Sequence, residues 1–91
     1  MTVNVHVSAM LRNRCGAQGN FSAEAKSIRE LVEAIDREHP GFTGIVLRPD
    51  GSIQKEVLVS INGELIHPHT AVDTALQAGD KVYFLSAFAG G

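Results

Sequence analysis

Disulfides, tryptophan and strong charge are missing from this sequence of 91 residues, which has one cysteine, one tyrosine and a net charge of -2. A single Cys15 excludes an internal disulfide, a Cys-x-x-Cys motif and a cysteine-ligated iron–sulfur cluster. Nearby arginines favour thiol reactivity, although an incidental loop thiol is the better interpretation. The weak charge excludes the basic field that sequence-independent nucleic-acid binding requires.

Long apolar runs are also missing. No stretch approaches the ~20 residues of a membrane span, and residues 1–10 alternate polar and apolar side chains instead of forming a secretory signal. The length suits one domain with a modest core. We therefore expect a single cytoplasmic domain over residues 1–91, without nucleic-acid or membrane partners.

Motifs for catalysis and metal binding are scarce. The sequence has no phosphate-binding loop, no GxGxxG and no Ser/His/Asp pattern. His67 and His69 are spaced to share a metal, but no third ligand is apparent nearby. Asp50 and Glu56 flank a turn and are interpreted as solvated charges. We expect no catalytic residues and no bound cofactor.

Hydrophobic alternation identifies the strands. Residues 2–8 and 57–61 alternate apolar and polar residues, the period of a half-buried strand. Residues 20–25 form a weaker strand with Phe21 as its core anchor, and residues 10–19 are expected to be a loop. The pattern predicts an antiparallel hairpin at the start of the chain.

One helix is predicted after this hairpin. Ser27 and Glu30 form a capping box, in which the Ser27 side chain accepts from the N3 amide and Glu30 reaches back to the cap. Proline at position 40 ends the helix near His39. Its apolar stripe follows the i, i+3, i+4, i+7 spacing of Ile28, Leu31, Val32 and Ile35.

Turn residues organise the second half of the chain. Residues 41–51 have no clear period, with an apolar run at 45–47 expected to pack on the core. Asn62-Gly63 is a two-residue hairpin signal. Residues 70–78 are expected to form a short turn or a 3₁₀ segment with Leu76 buried. The order β-β-α-β-β-β favours a β-grasp (ubiquitin-like) fold of the α+β class, with four to five strands on one main helix.

The chain closes on Gly90-Gly91. Two glycines have no side chain to pack and maximal backbone freedom, which suits the presentation of a terminal carboxylate. We expect a flexible tail over residues 86–91, which spans about 20 Å when extended. Fold alone does not assign a function to this tail, because β-grasp domains serve many roles.

The last strand predicts a docking face. Val82 and Phe84 are expected to face the helix, which leaves Tyr83 and Leu85 on the open side of the sheet together with Leu58. Exposed apolar side chains that lie together mark interaction sites. Phe88 has no core position and is expected to anchor in a partner's groove. The alternative is that Tyr83 and Leu85 only pack on loop residues.

The C-terminal third resembles the ThiS/MoaD family of ubiquitin-like sulfur carriers. The resemblance is carried by the hairpin segment 59–64, by residues 74–82 with their Gly79-Asp80 turn, and by the terminal Gly-Gly. Element order extends it to nearly the whole chain. The insertion at 41–55 and the ending 87–91 are similar to MoaD-like carriers and to carriers of cysteine or secondary-metabolite pathways, although many MoaD-like tails have proline where Ser86 stands.

The resemblance implies a mechanism and partners. An E1-like adenylyltransferase of the ThiF/MoeB type uses ATP to adenylate Gly91, and a sulfurtransferase or sulfide donor converts it to a thiocarboxylate. Ala89 and Gly90 thread the enzyme's channel. A sulfur-accepting synthase takes the sulfur for cysteine, a cofactor or a secondary metabolite such as a thiocarboxylate siderophore, and a JAMM-type peptidase removes any residues encoded beyond Gly91.

Three other functions stay open. A ubiquitin-like modifier would form isopeptide bonds through Gly91, after the same activation step. A small subunit of molybdopterin synthase would insert its tail into a larger subunit. A plain β-grasp binding domain would work without Gly90 and Gly91.

Overall fold

The computed structural model describes residues 2–15 and 19–87. No helix in this part of the chain is long and apolar enough to cross a membrane. The strands are β1 Thr2–Val7, β2 Asn20–Glu24, β3 Val57–Ile61, β4 Glu64–Leu65 and β5 Lys81–Ser86. The helices are α1 Ala9–Cys15, α2 Ile28–Glu38 and α3 Phe42–Val46, with a 3₁₀ turn at Ala71–Asp73.

The five strands form one mixed sheet in the order β2-β1-β5-β3-β4. The last strand of the chain lies in the middle, parallel to β1 and antiparallel to β3. One face of the sheet packs on α2 and encloses a single apolar core. The predicted β-grasp fold is therefore confirmed.

The principal helix α2 agrees with its predicted bounds. Ser27 Oγ accepts from the Glu30 amide at 3.2 Å, and the four residues of the predicted stripe are buried. Glu30 differs in one respect, because its carboxylate accepts from the Lys26 amide at 3.2 Å instead of from the cap residue. The His39 amide closes the helix on Ile35 O at 2.8 Å.

The expected loop over residues 10–19 is wrong, since α1 occupies Ala9–Cys15. The helix is held on the core by the buried side chain of Leu11. Among the described side chains of this seven-residue helix, at positions 9–13, Leu11 is the buried one, and one position gives no stripe from which a period could be recognised. Cys15 is the last residue of α1, and its side chain lies outside the described part of the chain.

A second short helix, α3, replaces the irregular stretch predicted after α2. Ile45 and Val46 are buried and Leu47 is partly buried, as expected. Phe42 was missed, although it is buried and meets Phe84 edge-on with ring centroids 5.3 Å apart. Phe21, predicted as a core anchor, packs on the core and is only partly buried, because it lies on edge strand β2.

The predicted turns are confirmed. Asn62 and Gly63 both have positive φ angles, 53° and 91°, as a type I′ hairpin requires. Gly79 turns the chain into β5 with a φ of 87°. Leu76 is buried just after the 3₁₀ turn.

Candidate docking face and tail exit

Strand β5 separates the core from the open face of the sheet. Val82 and Phe84 are completely buried, whereas Tyr83 is 40% exposed and Leu85 is half-buried. Leu58 lies directly opposite Leu85 on β3 and is 37% exposed. The three predicted docking residues therefore share one face.

The apolar patch on this face also includes Leu65, which the sequence reasoning missed. Leu65 is 64% exposed and pairs with Ser60, which in turn pairs with Tyr83. The Asn62-Gly63 turn could have predicted the position of Leu65, because a two-residue loop fixes which residues of the two strands pair. We define the apolar patch as Leu58, Leu65, Tyr83 and Leu85.

Tyr83 packs on a strand and not on a loop. Its ring lies beside the His6 imidazole of β1, with centroids 5.0 Å apart. His6 Nδ1 lies 2.8 Å from Asn20 Oδ1, and this carbonyl oxygen can only accept, so Nδ1 is the donor. The alternative interpretation, in which Tyr83 and Leu85 only pack on loop residues, therefore does not hold for Tyr83.

The sheet continues further toward the C-terminus than expected. Ser86 belongs to β5, and the Ala87 amide donates to Glu56 O at 2.8 Å. Ser86 Oγ also lies 3.6 Å from the sulfur of Met10 on α1. The expected tail over residues 86–91 therefore begins with two residues bound to the fold. The predicted site residues Phe88, Ala89, Gly90 and Gly91 lie outside the described residues.

The opposite end of β5 is fixed by a polar network that sequence reasoning did not find. Asn62 donates from Nδ2 to Asp80 Oδ1 at 3.0 Å and accepts from the Lys81 amide at 2.9 Å. The Gln77 amide donates to Asp80 Oδ2 at 2.8 Å. The bonds from Gln77 and Asn62 hold the pKa of Asp80 below its usual value. The hairpin and the Gly79-Asp80 turn thus form one structural unit.

The remaining polar candidates form local structure. His67 and His69 lie with ring centroids 5.5 Å apart, and His67 Nδ1 accepts from the His69 amide at 3.2 Å. Within residues 2–15 and 19–87, no three or more His, Cys, Asp or Glu residues come together as a metal site. Asp50 accepts from the amide and hydroxyl of Ser52, at 2.9 and 2.6 Å. Its side chain is exposed, as expected, and these two bonds fix the turn.

Sequence comparison places residues 5–91 within the model of the ThiS family. The curated relatives include the sulfur carrier protein CysO of Mycobacterium tuberculosis and that of Mycobacterium bovis. Each is 27% identical over a 93-residue alignment that covers the whole of both chains. The match to the ThiS family model includes the terminal residues Gly90 and Gly91.

Structural comparison agrees on the fold. The chain resembles a crystal structure of the BexX/CysO complex of Amycolatopsis orientalis, with a TM-score of 0.84, 21% identity and coverage of 98% and 99% of the two chains. The crystal structure of Mycobacterium tuberculosis CysO has a TM-score of 0.83 and 24% identity, and the match covers 94% of this chain and 99% of that one. SAMP1 of Haloferax volcanii gives 0.77 at 20% identity over the whole of both chains.

Proposed function

Because the chain belongs to the ThiS family, we propose that it is a cytoplasmic sulfur carrier whose Gly91 carboxylate is the reactive group. The observation that carries this proposal is the family match, which runs through Gly90 and Gly91 to the last residue. Full-length curated relatives with the name sulfur carrier support it. We propose no catalytic residue and no bound cofactor in the chain itself.

The chemistry has two steps on a partner enzyme. The Gly91 carboxylate attacks the α-phosphate of ATP, and pyrophosphate leaves to give an acyl-adenylate. A sulfide donor then attacks the acyl carbon, and AMP leaves with the bonding electron pair to give a thiocarboxylate. The partner is an E1-like adenylyltransferase, and a synthase accepts the sulfur for cysteine or another metabolite.

The fold supports this role by presenting the C-terminus from a fixed strand. β5 is hydrogen-bonded on both sides, to β1 and β3, and the Ala87 amide extends this anchoring. Gly91, the proposed reactive residue, is four residues beyond Ala87, and an extended chain of that length spans at most about 14 Å. This is shorter than the ~20 Å expected for a tail that begins at Ser86. The partner must therefore approach the end of the sheet closely.

The apolar patch is our candidate surface for that approach. Leu58 and Leu85 pair near the end of the sheet from which the chain leaves, since the next pair is Val57 with Ser86. A partner that receives residues 88–91 thus comes next to these leucines. Within the tail, we propose that Phe88 anchors in the partner's groove and that Ala89 and Gly90 thread a channel too narrow for larger side chains.

Intact-protein mass spectrometry tests the proposal. Incubation with the adenylyltransferase, ATP and sulfide should add the mass difference between sulfur and oxygen to the wild-type chain. We expect no gain for Gly90→Val or for a chain extended by one alanine, because neither terminus fits the channel. Circular dichroism should show the same fold for all three proteins. Normal thiocarboxylate formation by either altered chain would refute the proposed function.

The same samples separate the other functions. Conjugates of higher mass on denaturing gels would indicate a modifier attached through Gly91. Stable co-purification with a larger subunit would indicate a role like that in molybdopterin synthase. The full-length relatives named as sulfur carriers favour the carrier over both.

A further inference from the structure

The open face of the sheet has a polar half beside the apolar patch. Its residues lie on β1, β2 and β5, at register positions that alternate with the core. Together they line one shallow depression bordered by the Tyr83 ring. We define the polar half as Asn4, His6, Asn20, Ser22 and Lys81.

This depression offers hydrogen-bond donors and one formal positive charge. Lys81 contributes an ammonium group, and the amides of Asn4 and Asn20 and the hydroxyl of Ser22 add neutral donors. No carboxylate of the described residues is part of its lining. The depression is therefore electrostatically suited to an anion.

Neighbouring carboxylates are engaged elsewhere. Asp80 precedes Lys81 but accepts from Asn62 and from the Gln77 amide. Glu24, on the same strand as Ser22, accepts from the Thr2 hydroxyl. Neither side chain lines the depression, so the charge of Lys81 is available on this face.

The geometry is also ordered before any ligand arrives. The His6 ring is held on one side by Asn20 and on the other by Tyr83. In the sheet register, His6 lies between Asn20 on β2 and Tyr83 on β5, and Asn4 lies between Ser22 and Lys81. Side chains that are already positioned lose less conformational entropy on binding.

We propose that the polar half binds a carboxylate side chain of the same enzyme that takes the C-terminal tail. This choice of partner rests on the proposed function. Tyr83 belongs to the apolar patch and also borders the depression, so one protein surface covers both. Tyr83 precedes Ala87 by four residues, about 13 Å along a strand. A partner that holds the tail therefore reaches Lys81 without a second binding event. The charge pair would govern specificity and association rate more than total affinity.

The test measures binding of the adenylyltransferase to Lys81→Glu, Lys81→Gln and wild-type chains. Charge reversal should weaken binding about tenfold at low ionic strength, because a like-charge contact replaces an attractive one. The deficit should fall to about twofold at high salt, where exposed charges are screened. Lys81→Gln should lie between the two. Lys26→Glu is the matched control, since Lys26 is exposed and lies on the helix side of the molecule, just before α2.

Amide NMR spectra locate the contact and report folding. Addition of unlabelled enzyme should shift the amides of residues 4–6, 20–22 and 81–83 in the wild-type chain. The exposed side of α2 should be unaffected. Equal affinity of the Lys81→Glu and Lys26→Glu chains at low salt, or unshifted amides in these segments, would overturn the proposal.

The two proposals fail in different ways. A wild-type chain that gains sulfur while Lys81→Glu binds normally would leave the sulfur carrier intact and remove the polar contact. A chain that binds through Lys81 without ever gaining sulfur would do the reverse. Absence of any binding by the wild-type chain would overturn both.

Discussion

The two faces of β5 have the same backbone and opposite roles. Val82 and Phe84 are buried against the helices, while Tyr83 and Leu85 lie on the side that the fold leaves open. On an ordinary surface strand the open positions would be polar. Here the open positions of β5 include the apolar side chains Tyr83 and Leu85 beside Lys81, although only the other face packs in the core. The comparison indicates that one face of β5 stabilises the fold and that the other is available to a partner.

Loss of Phe84 should have the largest effect on stability. We expect Phe84→Ala to reduce the free energy of unfolding by about 3–5 kcal/mol, because it leaves a cavity beside Phe42. Tyr83→Ala, one residue away, should reduce the free energy of unfolding by less than about 1 kcal/mol, apart from the lower strand propensity of alanine. Urea unfolding followed by circular dichroism measures both.

A second variant covers the case in which Phe84→Ala does not fold. Phe84→Leu keeps most of the apolar volume and should remain folded with a smaller loss. Equal destabilisation by substitutions at positions 83 and 84 would contradict the division between the two faces of β5.

Substitutions on the open face should affect adenylation more than stability. Leu58→Ser and Leu65→Ser should each lower kcat/KM for adenylation by about 5- to 30-fold, which corresponds to about 1–2 kcal/mol, the cost of truncating an interface residue that contributes to binding. Their free energies of unfolding should change by about 0.5 kcal/mol or less, as is typical of exposed sites. Kinetics with the adenylyltransferase and urea unfolding provide the two measurements.

Glu33→Ser, on the exposed side of α2, is the control for these leucines. It should leave both quantities unchanged. If Leu65→Ser behaves like this control while Leu58→Ser does not, the docking surface ends at β3. If neither leucine matters, the apolar patch is not the enzyme's contact.

Much of this division was predictable from local patterns. Alternation along β5 placed Val82 and Tyr83 on the correct faces, and the helical stripe identified the buried side of α2. Such patterns exist because core-facing side chains recur every second residue in a strand and every three to four residues in a helix. They extend over enough residues to be recognised.

The features that were missed depend on single residues or on distant partners. Leu11 is the buried residue among the described side chains of α1, and Phe42 packs in the core against Phe84, which is far away in sequence. Asn62 and Asp80 are eighteen positions apart in sequence, and their contact follows from the pairing of β3 with β5. No local period reports such contacts. The tail boundary at Ser86 was misjudged for the same reason, since its support comes from β3.

The smallest expected effect concerns the base of β5, where Asp80 fixes the turn that starts the strand. Its folded-state pKa is depressed by bonds from the Gln77 amide and Asn62, so the ionised form stabilises the fold. That stabilisation is complete above the unfolded pKa of about 3.9 and disappears as pH falls through the lower folded value. Asp80→Asn should therefore be less stable than wild type at pH 7, and the difference should shrink below about pH 4.

Urea unfolding of both chains across this pH range measures the effect. Asp73→Asn is the control, because the Asp73 carboxylate is exposed and accepts a hydrogen bond from the Arg29 side chain. Asp80→Asn should leave the apolar patch unchanged, because the substitution lies at the other end of β5 from Leu58 and Leu85. Adenylation kinetics should thus stay near wild type at neutral pH. A stability difference that persists unchanged at low pH would show that the charge of Asp80 does not contribute to the stability of the turn.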